Sequence, residues 1–486
     1  MIKKIARIIN SSSFKNSFWS ILEATSYPIV LVIATPLFLD KLGVENYGLW
    51  MLANSIILSI GVLNIGLGDA TIKYVSKYNI TKNVDRIRSI IQVNFTVYSL
   101  LAVLTFVVGL FISFIIFRFS LFDISEELRK TIIFIIPIGS FTLGIKFIEQ
   151  ILLAVFKGFE RYDKASKLFM FSKFLVIIIN IIVVLTGKSL IWVFFATMIF
   201  SLIFLLIEMY FLKLFFRDVS FYPRIEKGVF REVFEFGIWA WIQSVVTIIS
   251  SQMDKFIVAQ YVGLKVLAFY SLGTMIFNQL HAVFSAAASW LFPKISAKTE
   301  KKESTISLFN QARFVLITVS MTLLLLLLLS GKIIFPLWLG EETYKQSRFF
   351  LNGFIAYEGL VVLSIVPYYF MLGSGAIKYN TLGEVGFKIF NIICMILLFY
   401  SVGINGILYG LILSIIVYIP IQNRLIQRVV FNNRKGFKME DFLILSPSIG
   451  FLLIVYLDSN YKYLLIPVVA FLIKTIFFDA QKKQSN

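Results

Sequence analysis

The sequence predicts an all-α integral membrane protein with about 14 membrane-crossing helices. Three observations predict it. Of 486 residues 58% are hydrophobic, and the mean hydropathy is +0.86. Only 15% are charged, against roughly 25% in a soluble globular chain. Apolar runs of spanning length, about 20 residues each, alternate with short charged connectors. This composition excludes a soluble enzyme, a disordered chain and a secreted disulfide scaffold. A single cysteine (Cys394) rules out an intramolecular disulfide, and a single histidine (His281) argues against a structural zinc site.

The runs place spans at 18–39, 47–67, 89–117, 131–156, 168–187, 190–212 and 234–262. They continue at 267–292, 307–330, 347–373, 381–401, 403–422, 442–457 and 461–478. The polar, basic start of the chain reads as a connector rather than a secretory leader. With the first connector placed in the cytoplasm, the cytoplasmic connectors hold 30 of the 46 Lys and Arg residues and the outer ones 10. That alternation follows the rule that basic loops stay inside. It predicts an even number of spans, both termini cytoplasmic, and a multi-pass protein of a cytoplasmic membrane. The same rule absorbs the net charge of +19, so no nucleic-acid partner is needed to explain it. Trp19, Trp50, Trp192, Trp239, Trp241, Trp290 and Trp338 all fall near span ends, where an indole has both apolar and polar surroundings. The outer connectors are short. The longest, 331–346, is too small for a soluble domain.

Two hairpins look alike. Pro36 to Trp50 joins spans one and two, and Phe256 to Tyr270 joins spans seven and eight. Gly43 aligns with Gly263, Gly48 with Ala268 and Trp50 with Tyr270, at a constant offset of 220 residues. Six spans separate the copies, an even number, so the halves are parallel repeats about an axis along the membrane normal.

Several motifs follow in a fixed order. Ser17-Phe-Trp-Ser20 opens the first span, and Leu42-Gly-Val-Glu-Asn-Tyr-Gly-Leu-Trp50 ends the first hairpin. Leu63-Asn-Ile-Gly-Leu-Gly-Asp-Ala70 precedes a basic amphipathic connector. Phe236-Gly-Ile-Trp-Ala-Trp241, Asp254-Lys255 and Leu291-Phe-Pro-Lys294 mark the second half. In this order the chain resembles the polysaccharide-transporter family of Wzx-type oligosaccharide flippases, in the multidrug/oligosaccharidyl-lipid/polysaccharide exporter superfamily. It departs from the family's usual glycine at Ala268, a residue that is also small. The resemblance implies two pseudo-symmetric six-helix bundles, 1–216 and 230–422, around a central cavity, with two further helices over 440–480. It implies a substrate of undecaprenyl-pyrophosphate-linked oligosaccharide, an O-antigen or capsule repeat unit, moved from the cytoplasmic to the outer leaflet by alternating access. It also points to a polysaccharide polymerase and a chain-length regulator as partners, to H⁺ or Na⁺ coupling, and to no bound cofactor.

Such a protein must shelter an anionic head group within the bilayer. Charged residues inside spans are costly and mark pathways or relays. Lys146, Lys255 and Arg313 are the candidates for attracting pyrophosphate. Glu23, Glu149, Asp254 and Glu358 are the candidates for carrying a coupling ion. Each has a plainer reading. Lys146 and Glu149 stand three residues apart and suit a local ion pair, as do Glu384 and Lys388 four apart. Lys173, Glu208, Glu235, Arg313 and Lys474 lie near enough to span ends to snorkel. Glu358 sits about 16 Å into its span, with no basic residue within a turn of it in sequence. Asn54, Asn64, Gln150, Gln243, Gln252, Asn278, Gln279 and Asn352 either line a sugar path or bond between helices. Tyr357, Tyr368 and Tyr369 stack on sugars or simply pack. Pro28, Pro36, Pro137, Pro367, Pro420 and Pro467 supply bends.

Three rivals remain at the level of residues. A membrane polymerase or ligase would show large outer loops and catalytic clusters, and neither is present. A drug/cation antiporter shares the repeat but has no use for a basic cavity. A lipid II flippase differs only in head group. With short outer loops, a lone His281 and no catalytic motif, the chain is read as a non-enzyme, and with no nucleotide-binding domain as one that does not itself use ATP.

Overall fold

The computed structural model describes residues 30–432, apart from 123, 217 and 218. Glu23, Pro28, Lys474, Pro467 and the two spans expected at 442–457 and 461–478 lie outside the described residues, as do the side chains of Glu235 and Gln243.

Fourteen α-helices make up the described chain. Residues 30–42 form α1. The helices α2 (Val44–Ile60), α3 (Leu67–Ile80), α4 (Val84–Phe119), α5 (Glu126–Gly158), α6 (Tyr162–Leu185) and α7 (Leu190–Phe215) follow. Then come α8 (Lys227–Tyr261), α9 (Leu264–Ala288), α10 (Leu291–Glu300), α11 (Ile306–Leu339), α12 (Glu341–Gly373), α13 (Ile377–Val402) and α14 (Ile404–Val429). Ten helical stretches among the described residues are long and apolar enough to cross a bilayer. At 35 residues α8 is long enough as well, but Ser250, Ser251, Gln252, Asp254 and Lys255 thin its apolar content and it is not one of the ten.

Local chemistry sets many of the ends. Asn83 caps α4 by accepting from the Arg86 amide at 3.1 Å, and Ser125 caps α5 from Leu128 at 3.4 Å. Each cap satisfies a donor that has no partner inside the helix. Glu126 and Glu127 lie in the first turn of α5 and Lys157 in its last, as the helix dipole favours. The two hairpin glycines both have a positive φ. Gly43 has φ +80° and Gly263 φ +101°, a region that costs side-chain-bearing residues but not glycine. Gly43 alone turns the first hairpin, and Val262 with Gly263 turns the second.

Two connectors differ from expectation. The stretch 331–346 is not a loop. Helix α11 runs on to Leu339, Gly340 alone turns the chain, and α12 begins at Glu341. The basic connector after Ala70 is largely helix α3, because Leu67, Ala70, Thr71, Tyr74 and Val75 recur on one buried face.

The chain divides into two compact units, with the boundary after Ala268. In the first unit α5 is central and packs on α2, α3, α4, α6 and α7. Leu67, Tyr74, Ile90, Tyr98, Ile151 and Phe156 form part of its core. Helix α8 joins this unit by lying along α2, α3 and α4. Trp241 Nε1 donates to the Val62 carbonyl at 2.6 Å, Tyr74 donates to the Glu232 carbonyl at 3.1 Å and Tyr78 to Glu232 Oε1 at 3.1 Å. In the second unit α12 is the buried helix and packs on α10, α11, α13 and α14. It buries Leu351, Phe354, Ile355, Ala356, Leu360 and Phe370. Exposed apolar residues cover the outward faces, among them Phe111, Phe114 and Phe117 on α4 and Leu323 and Leu326 on α11. In a membrane protein these faces meet hydrocarbon.

Gly48 marks a tight crossing. A Cβ there would collide with the Leu264 carbonyl, so only glycine permits this approach. Gly48→Ala is expected to destabilise the protein by about 1–3 kcal/mol, read as a lower melting temperature in detergent. Gly228→Ala, with nothing within 4 Å of its Cβ, is expected to leave it unchanged.

Candidate functional site

In the first unit the buried charges gather where α5, α6 and α7 pack together. Close packing of small residues brings α5 into place. Gly144 meets Ala102 and Thr105 of α4, and Gly139 meets Phe194 of α7. Lys146 Nζ on α5 then donates to Glu149 Oε1 at 2.6 Å and to Oε2 at 2.7 Å. Ser172 of α6 lies 3.3 Å from the same ammonium and donates to Glu149 at 3.5 Å. The Glu149 side chain is 4% exposed and that of Lys146 22%. The ion pair suggested by their spacing therefore forms, and it balances both charges. Glu208 of α7 lies within electrostatic reach of both and is fully buried, so it does not snorkel.

A second polar node fills the break between α2 and α3. Asn64 donates to Gln150 at 2.7 Å and accepts from the Tyr98 hydroxyl at 2.7 Å. That hydroxyl also accepts the Leu67 amide at 3.0 Å. These groups satisfy backbone left over where the helix stops. Asn64 and Gln150 are thus bonded between helices. Asn54 bonds back to the Trp50 carbonyl at 2.9 Å.

On α8 the Asp254 carboxylate accepts from the Lys255 backbone amide at 2.8 Å. The Lys255 ammonium donates instead to the neutral Gln252 amide at 3.2 Å. The two neighbours therefore face different ways, and Lys255 is half-buried.

In the second unit Arg313 of α11 is 5% exposed. Its Nη1 donates to Asn423 of α14 at 3.0 Å, and its guanidinium stands 5.2 Å from the Phe309 ring centroid. It is enclosed rather than snorkelling. Glu358 of α12 is fully buried, and its Oε1 lies 3.2 Å from His281 Nδ1 of α9. Sequence spacing hides this pair, because 77 residues separate the two. Gly273 is what lets the helices approach, since a Cβ there would press on Phe354 and the Phe350 carbonyl. Phe277 stacks on His281 at 5.8 Å and meets Tyr357 at 5.1 Å. Tyr369 donates to the Ser285 carbonyl at 3.1 Å, and Tyr368 packs on Tyr369 at 5.3 Å. Among the described residues no group of three or more His, Cys, Asp or Glu could hold a metal ion.

The charges proposed from sequence that lie among the described residues therefore occupy four places. Lys146 and Glu149 share one, Asp254 and Lys255 another. Arg313 and Glu358 lie in the second unit with partners, Asn423 and His281, that the sequence does not name. A double-mutant cycle of Lys146→Met and Glu149→Met is expected to give a coupling energy of about 1–3 kcal/mol in stability. His281→Ala is expected to cost about 1–3 kcal/mol by removing the partner of a buried carboxyl, and His281→Gln, which keeps a donor, is expected to restore most of it. Thermal melts in detergent read both.

Comparison with known proteins supplies the family. A Shigella flexneri protein named "Putative O-antigen transporter" is 22% identical over 385 residues, covering 76% of this chain and 87% of that protein. Among solved structures, a multidrug resistance MATE family transporter of the MOP superfamily, in an inward-facing conformation, matches with a TM-score of 0.70 at 12% identity. That match covers 85% of this chain and 99% of the other. The lipid II flippase MurJ, in an inward closed conformation, matches with a TM-score of 0.69 at 15% identity, over 96% of this chain and 99% of that one. At these identities the structures show the fold alone. The family described as polysaccharide biosynthesis protein matches residues 42–347, more than half of the chain, and the chain belongs to that family, on a MATE- and MurJ-like transporter fold.

Proposed function

We propose that this protein flips an undecaprenyl-pyrophosphate-linked oligosaccharide from the cytoplasmic to the outer leaflet of a bacterial cytoplasmic membrane. In this reading it works by alternating access, with 1–216 and 230–422 as its two six-helix repeats, both termini cytoplasmic and no bound cofactor. An H⁺ or Na⁺ gradient drives it, and a polymerase and a chain-length regulator act beside it on the product. The observation that carries the reading is the family match over 42–347 in a chain whose described residues are almost wholly long apolar helices. The O-antigen wording of the Shigella flexneri relative supports the substrate class. The fold shared with MurJ over 96% of the chain favours lipid II as the second head group to try.

The partners of the three cations separate their parts. The Lys146 charge is balanced by Glu149, and Arg313 is enclosed by Asn423 and Phe309. Lys255 meets a neutral amide, which leaves its charge for an anion. In this reading Lys255 contacts the pyrophosphate first, and Arg313 serves once its surroundings open. Glu149, Asp254, Glu358 and Glu23 are the carboxyls available for a coupling ion.

The test is reconstitution with a fluorescent undecaprenyl-pyrophosphate oligosaccharide, with leaflet exchange followed under imposed H⁺ and Na⁺ gradients. Exchange accelerated by one gradient is the expected result. Lys255→Gln is expected to slow it about tenfold, the effect of about 1.4 kcal/mol on the barrier. Exchange of lipid II but not of the oligosaccharide lipid would reassign the substrate. Exchange of a cationic dye alone would overturn the reading.

A further inference from the structure

Among the described residues Glu208, which the sequence places near a span end, bears the cost of burial most plainly. Glu208 has no accessible surface, and neither of its carboxyl oxygens has a hydrogen-bond partner. Burying an ionised carboxylate without a donor costs several kcal/mol, whereas the neutral acid is tolerated. Glu208 stands on α7, which packs on α5 and α6. The charged groups that face it from those helices are Lys146 and Glu149 of α5, with Lys173 of α6 in reach of both. One ammonium, that of Lys146, is already committed to Glu149, and its side chain keeps 22% of its surface accessible.

We propose that Glu208 is a proton-binding site, and that the Lys146 ammonium passes from Glu149 toward Glu208 when that proton leaves. The described arrangement is the protonated state. Glu208 is neutral and Lys146 belongs wholly to Glu149. Loss of the proton to water creates a second carboxylate beside an ammonium that is already paired. The ammonium is then drawn between two acceptors on α5 and α7, and the packing of those helices changes with it. A proton suits this place better than a sodium ion, because it binds one carboxyl oxygen as a covalent O–H, whereas a sodium ion needs several oxygen ligands and neither Glu208 oxygen has a polar partner. The proposal deepens the transport reading and rests on it only for the coupling role. Proton binding itself needs no substrate.

The test is infrared spectroscopy of the full chain in liposomes, following the C=O stretch of protonated carboxyl groups at neutral pH. Wild type minus Glu208→Gln is expected to show one such band, unchanged when NaCl replaces KCl. The double variant Lys146→Met with Glu149→Gln, which keeps Glu208, is expected to retain the band and decides the matter alone if Glu208→Gln does not fold. Absence of a difference band, its removal by NaCl, or its loss in the double variant would each overturn the proposal. In the flipping assay Glu208→Gln is expected to lose the acceleration by a pH gradient. Equal acceleration of wild type and variant would remove Glu208 from coupling. Wild type that carries the band yet flips no oligosaccharide lipid would overturn the transport reading and leave the proton site standing.

Discussion

A polar group inside a hydrocarbon layer has to bring its own partner, because no water is there to replace one. Most of the interior of this protein can be read from that constraint. Asn94 bonds Thr71 at 2.7 Å, Thr197 bonds Asn180 at 2.9 Å and Asn391 bonds Ser414 at 2.7 Å. Each bond ties one helix to another. Where the backbone itself stops being helical, between α2 and α3, Tyr98, Asn64 and Gln150 close the account. Charges follow the same rule at higher cost. Lys146 has Glu149, Arg313 has Asn423 and Glu358 has His281. Against that background a carboxyl with no partner, Glu208, stands out as the place where something mobile supplies what the protein does not.

Small residues decide which helices come close enough for these bonds to form. Lipid offers no hydrophobic drive for helix association, so close backbone approach has to supply it. Gly144 against Ala102, Gly273 against the Phe350 carbonyl and Gly48 against the Leu264 carbonyl are such approaches. They set the distances at which Lys146, His281 and Glu358 act. The placement of these side chains therefore depends on residues with no chemistry of their own.

Much of the architecture was legible in the sequence. The apolar runs gave the helices, and the aligned hairpin glycines Gly43 and Gly263 both take a positive φ. The i, i+3 spacing of Lys146 and Glu149 gave a real pair, because a helix fixes neighbours at that distance. What the sequence could not give is any pairing across helices. Ser172 meets Lys146 26 positions away and Arg313 finds Asn423 across 110. No periodicity links such positions, since their meeting depends on which helices pack. Glu208 was misjudged for a related reason. Its depth along α7 says nothing about which way it faces, and it faces inward. The one-residue turn at Gly340 was missed because polar Glu341, Glu342 and Lys345 read as a loop, though they form the first turns of a helix.

Helices α4, α5, α8, α11 and α12 run to 33–36 residues, or about 50 Å at 1.5 Å per residue. The hydrocarbon layer is about 30 Å thick, so these helices stand well clear of it. At one such end α8 and its approach meet α3 and α4 through Arg86 and Glu226 at 3.4 Å and Lys77 and Glu232 at 4.0 Å. Arg86 keeps 47% of its side chain exposed and Lys77 57%. Mobile ions screen charges in that setting over about 8 Å at physiological strength. The deep pair of Lys146 and Glu149 lies largely out of their reach. Ionic strength thus acts on the molecule unevenly, loosening the protruding rim while leaving the interior set as it was.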